Sequence, residues 1–289
     1  GEGGSSSKSG HILVASKDAG RGGSSGSIGI QSGATDGAVT GSIAVTTGDN
    51  AGSGFAGSIS LEAGDATIAQ GGNVMLQAGK SMTSTGGSVA ISSGTGQATS
   101  SGNMLLTTAN AGTEGQSGNV GIKTGTASEG SSGSIVMATG DSSEGAGGSI
   151  TLSVGTGESG DGGNVNILAG GSKQSAGGDV VVRSGGSNEA GSGSITIVSS
   201  NAGEEGASGD ISMSTGSSNL VNSGKLTLST GASTGGSGGN IALSVGSSVG
   251  AFKGGNINIG AGSSTQYTGG AVSIRSGQSA QHTSGGGSI

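Results

Sequence analysis

Apolar residues enter this chain in pairs, two positions apart, and the pairs return at a near-constant interval. A glycine stands before each pair, as in Gly148-Ser149-Ile150-Thr151-Leu152. Taken as an anchor, that glycine recurs at Gly10, Gly26, Gly41, Gly57, Gly72, Gly87, Gly102, Gly118, Gly133, Gly148, Gly163, Gly178, Gly193, Gly209, Gly224, Gly239, Gly255, Gly270 and Gly287. Of the eighteen intervals, twelve span fifteen positions, five span sixteen and one spans seventeen. A disordered low-complexity chain has no reason to keep such a count.

Two places after the anchor, every unit carries Ile, Val, Leu or Met, from Ile12 to Ile289. Four places after, every unit that reaches so far does so again, from Val14 to Ile274. A tolerant column lies between them, for example Leu13, Gly29, Ala44, Ser60, Asn166 and Thr196. This alternation predicts a short strand with one buried face. Seven places after the anchor, every unit holds Gly except those with Lys17, Ala109 and Ser200, which predicts a sharp turn through positive φ. Nine places after, every unit holds Gly, Ala, Ser or Thr except at Asn50, which predicts a closely approaching second wall. All extra residues of the longer units fall in this return segment, where a surface loop absorbs insertions.

The fold expected from this register is all-β: a single elongated parallel β-solenoid, a two-walled β-roll of about 18 rungs of 15–16 residues, stacked at ~4.8 Å. Residues 1–289 read as one continuous array and as a fragment of a longer one. The column after the anchor holds Ser in eight units and Asn in six, a ladder able to hydrogen-bond along such a stack. Two aliphatics per rung are a thin core for ordering some fifteen backbones. The rod is therefore expected to gain stability by lateral packing or by continuing past both ends.

Composition narrows the classes further. Glycine accounts for 71 of 289 residues, with no Pro, Cys or Trp and 1% aromatics. A globular enzyme core lacks its large side chains, collagen its proline and triplet period, and a disulfide scaffold its cysteines. A membrane-crossing helix needs about 20 consecutive apolar residues. No run approaches that length, so no such span is expected. The net charge of −7 carries no electrostatic footprint for nucleic acid.

The pattern Gly-Ser/Asn-Ile-x-Ile-x-Ser/Thr-Gly, with its Gly/Ser-rich return, resembles the β-solenoid repeats of secreted surface fibres and adhesin stalks. It is similar in style to the long Gly/Ser repeats of algal and other microbial cell-surface proteins. That resemblance covers the whole chain. It implies an extracellular or cell-surface structural protein whose partner is itself, with cell wall or extracellular matrix as a further partner. An ice- or mineral-surface-binding solenoid is the alternative, but the columns three and five after the anchor are irregular: Thr151/Ser153, Thr196/Val198, Val181/Arg183.

Motifs that suggest chemistry dissolve on inspection. Gly155-Thr156-Gly157-Glu158-Ser159-Gly160 has the form of a dinucleotide loop, yet no helical pattern follows it. Gly79-Lys80-Ser81 ends like a phosphate loop but begins at Val74 and reads as a turn. Gly160-Asp161-Gly162-Gly163 matches a calcium-repeat unit once, with no acidic column to sustain it. His11 and His282 lie at opposite ends, and Glu189, Glu204 and Glu205 read as solvated loop acids. Phe55, Phe252 and Tyr267 form no aromatic platform, and no Asn-x-Ser/Thr sequon occurs. Lys123, Arg183 and Arg275 lie five after an anchor, where charge discourages indiscriminate stacking or pairs with a neighbouring copy. No catalytic, cofactor-binding or metal-ligating residue is assigned, and no cofactor is expected. The reading is a structural protein, not an enzyme.

Overall fold

The computed structural model describes residues 9–278. Among them there is no helix and no strand. The expected parallel β-solenoid is therefore not the observed architecture. No described residue is buried. The accessible surface is 28935 Å². A compact protein of this mass exposes roughly 10,600 Å² and a fully extended chain roughly 38,000 Å². The surface lies nearer the second.

The physical reason is the thinness of the apolar set. Each unit offers two aliphatic side chains to offset the ordering of some fifteen residues, a quarter of the chain being glycine, the residue that loses most backbone freedom. A row of stacked backbones would also need every buried N–H and C=O paired, whereas here no described residue is buried. The Ser/Asn column after the anchor forms no ladder, for its described members are all exposed.

The period nonetheless survives as local geometry. The chain divides into two units, Gly1–Gly147 and Gly148–Ile289. In the first, sharp bends recur at 36–38, 52–54, 67–69, 82–84, 97–99, 128–130 and 143–145. In the second they recur at 158–160, 173–175, 188–190, 219–221, 234–236 and 265–267. Most begin ten places after an anchor, whereas 52–54 begins eleven after Gly41, in a repeat one residue longer than its neighbours. Three other repeats of that longer kind carry a tight turn at the same place, at 21–22, 113–114 and 204–205. The inserted residue is accommodated ahead of the reversal.

The reversal is thus not where the glycine column predicts it. No described glycine seven places after an anchor has positive φ. Among the described residues the positive-φ glycines are Gly22 at 80°, Gly37 at 89° and Gly250 at 96°, each eleven or twelve places after its anchor. Only there does the backbone require the left-handed region.

Candidate functional site: the junction between successive units

Each junction is built from three places in the sequence. The first is the residue six after the anchor, always Ser, Thr, Ala or Val. The second is the residue seven after, usually Gly, and the third is the next anchor. Ser32, Ala63, Ala78 and Ser184 are the most sheltered of the described residues, and all four stand six after an anchor. A Cβ added to Gly72 would lie 3.0 Å from the Ala63 Cβ, and one added to Gly87 would lie 3.3 Å from that of Ala78. At these two anchors a side chain would crowd the neighbouring alanine.

In at least six junctions among the described residues the approach is sealed by a backbone hydrogen bond across eight residues. The N–H groups of Gly72, Gly87, Gly102, Gly178, Gly193 and Gly270 donate to the carbonyls of Gly64, Gly79, Gly94, Gly170, Gly185 and Gly262, at 2.8–2.9 Å. Each closes the return segment into a compact loop whose ends touch. All six belong to repeats of the shorter, commoner length and carry Ala or Ser at the sixth position: Ala63, Ala78, Ser93, Ala169, Ser184 and Ala261.

A β-branched residue there changes the junction. Thr124, Val154, Thr215 and Thr230 precede Gly133, Gly163, Gly224 and Gly239, and none of these anchors donates such a bond. The nearest atoms to a Cβ added at these anchors are side-chain atoms alone, whereas at the closed anchors Gly72 and Gly87 they include the backbone of the glycine that bonds. The Val154 Cγ1 lies 2.7 Å from a Cβ added to Gly163, and the Thr215 Cβ 3.3 Å from one added to Gly224. A branch on Cβ fills the gap the closure needs. Thr230 substitutes its hydroxyl, donating Oγ1 to the Gly239 carbonyl at 3.2 Å. Ser32 departs from the rule, for its unit reverses through Gly37 at φ 89°.

The return loop is capped from within by the residue nine after the anchor. The Oγ of Ser81 accepts from the Ser84 N–H at 3.0 Å. Ser142 caps Gly145 at 3.0 Å, Ser233 caps Gly236 at 3.0 Å and Ser264 caps Tyr267 at 2.9 Å. Ser172 accepts from Gln174 and Ser175, and Ser187 from Glu189 and Ala190. Asn50, the departure in that column, performs the same task, its Oδ1 accepting from the Gly52 N–H at 2.7 Å. Short polar side chains do this because their oxygen reaches the backbone two or three residues on. At these positions the small column thus caps a turn rather than forming a wall of close approach.

The residues weighed for chemistry are not brought together. Lys80 and Ser81 belong to one capped turn, Glu158 to the bend at 158–160, and Glu204 and Glu205 to the turn at 204–205. His11, Glu189, Lys123, Arg183 and Arg275 are exposed; His282 lies outside the described residues. Among the described residues there is no cavity, and no group of three His, Cys, Asp or Glu is placed to hold a metal. Among them no helix is long and apolar enough to cross a membrane. Compared with known proteins, the chain matches no family model, no curated protein and no solved structure.

Proposed function

We propose that this chain is a structural, self-associating repeat segment of an extracellular filament, cell-surface fibre or adhesin stalk. One observation carries the reading. In every unit from Ile28 to Val272 the aliphatic two after the anchor keeps 48–67% of its surface in water. The one four after, from Ile30 to Ile274, keeps 65–83%. Two apolar columns maintained over so many units, and left wet in the isolated chain, are a surface awaiting cover. A soluble protein without that requirement gains nothing from excluding every polar residue at those positions. Localisation outside the cell rests on the resemblance of the repeat to surface-fibre proteins.

Sedimentation velocity across a concentration series, with negative-stain images of the same samples, tests this. The expected result is concentration-dependent growth into ordered assemblies. A monomer at every concentration overturns it. Growth arrest or shaping of ice by the monomer would instead support a surface-binding protein.

A further inference from the structure

We infer that the occupant of the apolar columns is a second copy of this chain, parallel to the first and displaced by one repeat unit. This rests on the self-association proposed above and names its register. The wet aliphatic columns supply the area. A stable interface needs about 1,200–2,000 Å² in total, and the two columns offer aliphatics that are 48–83% exposed in every unit from Ile28 to Ile274.

Charge selects the displacement. In an unshifted parallel pair every charged residue faces itself, and the chain carries 17 acidic and 10 basic residues to repel in this way. A shift of one unit changes the partners. Among the described residues, Arg21 and Asp36, Asp65 and Lys80, Glu158 and Lys173, and Asp210 and Lys225 each stand one fifteen-residue step apart, with opposite signs. Glu114 and Glu129, Glu129 and Glu144, and Glu189 and Glu204 are the like-signed pairs at that spacing, and Asp49 and Asp65, eight after Gly41 and Gly57, meet across a sixteen-residue repeat; no Lys or Arg meets another. The described charged residues are exposed and available. Because the intervals up to Gly270 differ by at most one position, a one-unit shift also keeps apolar halves opposite apolar halves to within one residue. Each exposed pair contributes little alone. The register is decided by the difference between four attractions with four repulsions and repulsion throughout.

The chain has no cysteine, so disulfide trapping reads the register cleanly. Gly64 and Gly79 lie one such step apart beside Asp65 and Lys80, and a Cβ on either meets nothing within 4 Å. Under mild oxidation of the assembled full chain, a mixture of Gly64→Cys and Gly79→Cys should give heterodimer at about ten times the yield of either homodimer. Combining Lys80→Glu, Lys173→Glu and Lys225→Glu in those chains should remove most of that preference while assembly persists. Homodimers at equal or higher yield overturn the one-unit shift. A higher yield between Gly64→Cys and Gly231→Cys overturns the parallel arrangement. Both of these outcomes leave self-association standing, whereas a monomer by sedimentation removes self-association itself.

Discussion

The two halves of each repeat behave oppositely. The half from the first to the fifth residue after the anchor is the most regular in sequence, with its two apolar columns unbroken. Yet among the described residues no hydrogen bond holds its shape, and its aliphatics stay wet. The return half varies in length and composition, yet it holds the serine caps and the turn glycine of every eight-residue closure. Among its own apolar residues, Val39, Phe55, Ile68 and Leu220 are 95% exposed or more. Regularity in sequence and order in the single chain are thus separate properties. Local bonds satisfy the return half within one unit, whereas nothing within the unit covers the apolar half.

The sharpest way to break this contrast is to place charge in the apolar half. Ile135→Asp, Ile150→Asp and Val165→Asp together should weaken assembly by roughly 100-fold or more, since about half of each side chain remains to be buried. Sedimentation measures it, and Ser142→Ala, Ser172→Ala and Ser187→Ala together should leave assembly within about twofold. If both triple variants weaken assembly alike, the division between the halves is wrong.

The junction gives the next effect. In Gly72→Ala the new methyl meets Ala63, and protection of the amide at position 72 from hydrogen exchange should fall by about tenfold, the worth of one net hydrogen bond. Ala78→Thr should open the Gly87 closure with a loss of about threefold to tenfold, read at that amide alone. Retained protection there would refute the branching rule. Smallest of all, Ser187→Ala should raise exchange at Glu189 and Ala190 by about twofold and nowhere else.

Much of this was legible in the amino-acid pattern. The unit length, the anchor, the constant apolar half and the placement of insertions in the return segment all follow from residue identity. The stacked fold does not, because stacking depends on whether the burial of Ile150 and Leu152 outweighs the ordering of a glycine-rich unit, a balance no spacing reveals. The serine column was visible only as small residues, since Ala66 and Ala127 share it with Ser142 and Ser187 and size hides the acceptor oxygen. Asn50 was the available signal: it shares with Ser an oxygen at the right reach and nothing in size. The sixth position, where Ala and Thr alternate without altering hydropathy much, gave no hint that branching decides closure.

The eight-residue closures have a mechanical consequence. Eight residues reach about 28 Å when extended, yet a single N–H···O bond of 2.9 Å holds Gly64 and Gly72 together. Each such clasp therefore keeps on the order of 20 Å of chain out of the load path. Tension that opens the clasps one by one would lengthen the molecule in steps and dissipate work at each. The same clasps would re-form on release, because their partners are never more than one loop apart.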